Sequence, residues 1–89
     1  MNTPQQIARD IEKLTTIKVC EIYEADDPTV EDDSITLMDG GHLYNIQICA
    51  MEYGLLSFNR TESDGSVWHG ETYKTVKSLV RSEFPESLR

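Results

Sequence analysis

Across residues 19–59, nearly half of an 89-residue protein, the chain carries no lysine or arginine. Long apolar runs are missing as well, and none approaches the roughly 20 residues that a membrane-spanning helix needs. Cysteine is limited to Cys20 and Cys49, too few for the disulfide framework of a small secreted domain. The N-terminal stretch MNTPQQIARDIEKL has no apolar h-region, so no signal peptide is expected. A cytoplasmic chain with both thiols reduced follows, and the sequon Asn59-Arg60-Thr61 then carries no weight. No glycine-rich loop leads into a helix, which excludes the usual phosphate cradle. None of the serines stands in a nucleophile-elbow pattern, and neither C-x-x-C nor H-x-x-x-H pairs occur. No enzymatic activity and no cofactor are expected.

Basic residues are scarce overall: eight Lys and Arg stand against sixteen Asp and Glu, for a formal net charge of −8. That balance argues against direct binding to nucleic-acid phosphates, which needs basic patches and counterion release. It favours attraction to basic surfaces. An apolar content of 38% is enough for one core, so a single domain over residues 1–89 is expected.

Hydrophobic spacing sets the elements. Thr3 can cap a helix that begins at Pro4, with Gln6 in the capping-box position, and Ile7, Ile11 and Leu14 follow at helical spacing. A helix over about 4–15 results. IKVCEIYEA (17–25) is β-branched but alternates untidily, as a strand with both faces partly covered or with a bulge would. SITLMD (34–39) is a second strand, and Asp39-Gly40-Gly41 has the chemistry of a hairpin turn. In HLYNIQICAMEY, Tyr44, Ile46, Ile48 and Ala50 alternate with Asn45, Gln47, Cys49 and Met51, one side for a core and one half polar. LLSFN points Leu56 and Phe58 together, Asp64-Gly65 marks a turn, and SVWHG is a short final strand. A second helix over about 71–84 carries Tyr73, Val76, Leu79, Val80 and Phe84 on one face and stops before Pro85. Short turns imply an antiparallel meander of four to five strands. With the N-terminal and C-terminal helices on one face, this is a two-layer α+β sandwich. The opposite sheet face, with Asn45, Gln47, Cys49, Met51, Leu55, Ser57 and Asn59, would be exposed.

The base-free region is densest in EADDPTVEDD (24–33), where Glu24, Asp26, Asp27, Glu31, Asp32 and Asp33 crowd a predicted loop. Glu21, Asp39 and Glu52 extend the acidic character along the neighbouring strands. Three uses compete. Such a loop can simply keep a small domain soluble. It can dock on a basic protein surface, spacing carboxylates as nucleic acid spaces phosphates and gaining association rate from the field. Antirestriction, anti-CRISPR and toxin-neutralising immunity proteins work this way as a class, and the chain resembles them in size and charge, with no shared motif. It can bind calcium, but D-x-[DN]-x-[DN]-G is absent and Pro28 with Val30 interrupts the ligand register, so no metal is expected. The alternative to docking is a structural or regulatory homodimer that uses the exposed sheet face. Trp68 is expected to pack under the last helix, His42 to sit at a hairpin tip and His69 to end an edge strand. Lys74, Lys77 and Arg81 form a solvated stripe on the last helix.

Overall fold

The computed structural model describes residues 3–27, 30–50, 55–62 and 64–89. The element order is α1 (Pro4–Leu14), β1 (Lys18–Tyr23), β2 (Asp33–Asp39), β3 (His42–Ile48), β4 (Leu56–Thr61), β5 (Val67–Tyr73) and α2 (Val76–Glu83), then a 3-10 turn over Pro85–Ser87. The five strands form one antiparallel sheet in sequence order, and both helices share a single hydrophobic cluster with one of its faces. The two-layer α+β meander expected from the sequence is what forms.

Helix α1 starts because Thr3 Oγ1 accepts the Gln6 backbone N–H at 3.2 Å, and Pro4 occupies the first helical position. The Gln6 side chain does not reach back as a capping box would; it reaches forward to Asp10 Oδ1 at 3.3 Å. Ile7, Ala8 and Ile11 are buried against the sheet. At the far end Thr15, fully buried, leaves the helix in extended backbone; its Oγ1 donates to the Ile11 carbonyl at 2.6 Å and accepts the Ile17 N–H at 3.1 Å.

Strand β1 carries the bulge that its untidy alternation suggests. The register slips between Val19 and Glu21, so Val19 faces Leu37 and Ile22 faces Ile35, and both lie on the helix-covered side. Glu21 and Tyr23 turn to the other face. Between β2 and β3, Asp39 pairs with His42, and Gly40 (φ 59°) and Gly41 (φ 80°) take the left-handed conformations of a two-residue hairpin turn. His42 is therefore at the hairpin tip. The β4–β5 turn is fixed by Asp64, whose Oδ1 accepts from the Ser66 N–H at 2.9 Å and the Ser66 hydroxyl at 2.6 Å. Those two bonds hold the Asp64 carboxyl below its ordinary range.

Three expectations need correction. The last helix begins at Val76, not near residue 71: Tyr73 pairs with Leu56 as the end of β5, and Thr75 is the cap, its Oγ1 accepting the Ser78 N–H at 3.1 Å. Lys74 accordingly lies before the helix, which leaves only Lys77 and Arg81 of the basic stripe on α2. Trp68 does not lie under α2. It is 47% exposed, its ring covers Gly70, and the Arg60 guanidinium stacks over it at 5.4 Å. His69 lies within edge strand β5, not at its end.

The core runs across the covered face through Ile35, Leu37, Ile46, Phe58 and, from the helices, Ile11, Leu79 and Val80. Phe84 at the end of α2 completes an aromatic group with Tyr44 and Phe58, ring centroids 5.1–5.5 Å apart. After Pro85 the chain folds back on the end of α1. Thr16 donates its N–H to the Ser87 carbonyl at 2.8 Å, and Arg89 donates its own to Leu14 at 3.0 Å and its Nε to Thr15 at 2.8 Å. Among the described residues no helix is long and apolar enough to cross a membrane.

Candidate functional site

The acidic stretch joins β1 to β2 at one end of the sheet. Two of its carboxylates shape the connection. Asp33 Oδ1 accepts the Ala25 N–H at 2.8 Å, which clamps the two strand ends together. Asp32 Oδ1 accepts the Ala50 N–H at 2.7 Å and ties the segment to the chain leaving β3. Each bond consumes part of a carboxylate's accepting capacity and leaves its negative charge in place. Glu31 accepts the Tyr23 hydroxyl, and the bond and nearby charge raise the phenol above its ordinary pKa. Asp27 turns the chain through its backbone, its carbonyl accepting from Val30 and Glu31 at 3.1 and 3.0 Å.

Glu24, Asp26, Asp27 and Glu31 are exposed, while Asp32 and Asp33 are half-buried. These six are brought together. Glu24 and Asp33 also line a shallow cleft with Thr3, Pro4 and Gln5, the first residues of α1. Helix α1 has no acidic residue in its own first turn, so this loop places negative charge beside the positive end of the helix dipole. Glu21 is exposed on the open face of β1, opposite Thr36 and within a few residues of the loop.

Asp39 lies elsewhere. It ends β2, six residues beyond Asp33, and at about 3.3 Å per residue that is roughly 20 Å. This exceeds the Debye length of about 8 Å at physiological salt, so Asp39 adds little to the loop's field. Its carboxylate accepts the Ser87 hydroxyl at 3.3 Å, a contact that anchors the C-terminal turn. Glu52 lies outside the described residues.

Positive charge occurs at both ends of the strands: Tyr73 shares a cross-strand row with Asp33, so Lys74 follows β5 at the loop's own end, on the far edge of the sheet, and other basic residues lie at the opposite end. Lys18 begins β1 opposite Met38, Lys13 lies in the last turn of α1, and Arg89 bonds to carbonyls at that same end. Arg60, near the end of β4, forms an ion pair with Glu62 at 2.6 Å. The acidic loop is thus a local concentration of negative charge at the β1–β2 corner, and the opposite end of the sheet is mixed, with Asp39, Glu62 and Asp64 beside Lys18 and Arg60.

Sequence reasoning named several open-face residues without seeing what they build. Glu21, Thr36, Asn45, Asn59 and His69 fall in one row across all five strands. Asn59 is only 3% exposed although no described element covers this face. Its Oδ1 lies 2.9 Å from His69 Nδ1, and its Nδ2 donates to the Ser57 carbonyl at 3.4 Å. Asn45 Nδ2 donates to Thr36 Oγ1, also at 3.4 Å. Among the described residues no group of three or more His, Cys, Asp or Glu side chains is disposed to hold a metal ion. No family model, curated protein or solved structure matches the chain.

Proposed function

We propose that this protein is a small, acidic, non-enzymatic binding module, cytoplasmic in location, that docks on a basic protein surface. The nucleic-acid groove of an enzyme is the sharpest candidate, as for inhibitors of the antirestriction, anti-CRISPR or immunity type. The observation that supports it is the gathering of Glu24, Asp26, Asp27, Glu31, Asp32 and Asp33 at one corner of the sheet, within a stretch of chain (residues 19–59) that carries no lysine or arginine. A one-signed loop on a fixed scaffold steers a basic partner and sets its orientation before contact. Asp32 and Asp33 are held in place by their bonds to Ala50 and Ala25, which reduces the ordering cost on binding.

The test spares those two residues. A variant carrying Glu24→Gln, Asp26→Asn, Asp27→Asn and Glu31→Gln removes four charges and keeps both loop clamps. In affinity capture the wild type should retain a defined partner that is released as salt rises, and the variant should lose it at every salt concentration. Recovery of the same partner by both proteins at the same salt tolerance would rule the loop out.

A second reading is a homodimer through the open sheet face, favoured by the exposure of Met38 (54%), Leu43 (37%) and Val67 (50%) in one cross-strand row there. Light scattering at rising concentration decides it. A monomer throughout would remove the dimer.

A further inference from the structure

The geometry points to a second site, independent of the acidic loop: we propose that the open sheet face binds a small, flat, uncharged nitrogen heterocycle of the nucleobase type. The face is not flat. Strand β4 presents only Ser57, Asn59 and Thr61 on this side, and it runs between β3 and β5. Leu43 and Val67 stand on either side of Thr61, so a trough follows β4 with aliphatic walls at one end. The concavity measures about 390 Å³, within the range of small-ligand sites. Two strand spacings separate the walls by about 9.6 Å at the backbone, with Thr61 on the floor between them. A ring lying over Thr61 can meet the aliphatic carbons of Leu43 and Val67 with its faces or rim.

The floor has a defined hydrogen-bonding pattern. Asn59 donates through Nδ2 to the Ser57 carbonyl, which turns its Oδ1 toward His69. A carboxamide oxygen can only accept, so His69 Nδ1 carries the proton and Nε2 is left as an acceptor. Asn45 spends an Nδ2 hydrogen on Thr36 Oγ1, leaving its Oδ1 to accept and the Thr36 hydroxyl hydrogen to be donated. Donors and acceptors therefore alternate beside the slot, which suits the mixed edge of a heterocyclic base. Amide side chains are also the groups that read such edges in pairs of hydrogen bonds. No Asp, Glu, Lys or Arg is among the described residues lining the trough. With a net charge of −8 the whole molecule repels phosphate, so the base or nucleoside fits and the nucleotide does not.

Titrating the ¹⁵N-labelled protein with uridine, cytidine, adenosine and guanosine, with glucose as the puckered neutral control, tests this by amide chemical shift. At least one nucleoside should give saturable shifts of the Asn45 and Asn59 side-chain amides at millimolar concentration or below, and glucose none. Thr61→Leu fills the slot and should weaken binding by about tenfold or more. Asn45→Leu, at a half-buried position, serves if the first variant loses its spectral dispersion. The four-charge loop variant should bind nucleoside as the wild type does; loss of binding there would move the ligand to the loop and overturn the trough. No saturable shift with any nucleoside, an equal response to glucose, or undiminished binding in both trough variants would each overturn it too.

Discussion

The two faces of the sheet are built from the same strands, alternate residue by alternate residue, and they have opposite characters. On the covered face Ile35, Leu37 and Ile46 are fully buried beneath two amphipathic helices. On the open face their immediate neighbours Thr36 and Asn45 form a polar row that ends at His69. The buried apolar packing that stabilises the fold is thus concentrated in one face. Adjacent residues of β3 put the contrast to its hardest test. Ile46→Ala empties a fully buried site and should cost about 2–5 kcal/mol, a large part of the 5–10 kcal/mol that holds a domain of this size together. Asn45→Ala, one residue earlier and facing the other way, should stay within about 0.5 kcal/mol. Urea denaturation of both variants measures the gap. Equal losses would mean that the open face is structural after all.

The edge strand β5 blurs the contrast and sharpens it on inspection. Trp68 lies on the same side as the core, yet it is half exposed because its ring folds over Gly70 at the margin of the helix layer. A Cβ at residue 70 would come within 2.8 Å of the Trp68 ring and 3.0 Å of the Phe58 carbonyl oxygen. The ring can move but the backbone oxygen cannot. Gly70→Ala should therefore cost about 1–3 kcal/mol and expose Trp68. A red-shifted tryptophan emission in the folded state, with a lower urea midpoint, is the expected result. An unchanged emission maximum would show that the ring does not rest on residue 70.

The covered face was legible in the sequence because its signals are local. The alternation through Tyr44, Ile46 and Ile48, the Asp39-Gly40-Gly41 turn and the Thr3-Pro4 helix start each need only a few neighbouring residues. The boundary between β5 and α2 was not legible. Tyr73, Val76 and Val80 are spaced three and seven apart, as one helical face would be, and only the pairing of Tyr73 with Leu56 assigns it to the strand. The polar trough was half legible: Asn45 and Asn59 could be placed on the open face, but the partner of the Asn59 carboxamide oxygen is His69, ten residues further along the chain. For the same reason the sequence showed the charge of Asp32 and Asp33 and not their work as clamps, since one partner, Ala50, sits eighteen residues away. Asp39 looked continuous with the acidic loop until β2 set a whole strand between them.

Helix α2 owes its corrected start to Thr75, and the cap offers a smaller perturbation of the covered face. Thr75→Ala removes the acceptor of the Ser78 N–H and should cost about 1 kcal/mol, with Val76, Leu79 and Val80 still buried. Thr72→Ala, at a position that a helix starting near residue 71 would have used as its cap, should cost less because the residue is an exposed strand position. Thermal melts of the pair rank them. The reverse order would restore the longer helix.

The subtlest expected effect lies where the two layers meet. Tyr73 ends β5 with its hydroxyl donated to Glu83 on α2, and burial together with that carboxylate pushes its pKa up to about 12. Below pH 10, the ordinary value for the phenol, Tyr73 is protonated both folded and unfolded, and the strand–helix bond contributes in full. Above it the unfolded chain releases the proton first, so stability drains away as pH climbs from 10 towards 12 and the folded protein resists ionisation. Tyr73→Phe removes the hydroxyl and with it this share of the alkaline loss. Comparing urea midpoints at about pH 9 and about pH 11.5 should show a larger drop in the wild type than in the variant. Tyr23, whose phenol is also raised but lies on the exposed loop side, contributes to both proteins alike and cancels. Parallel drops would mean that Tyr73 and Glu83 do not couple the sheet to α2.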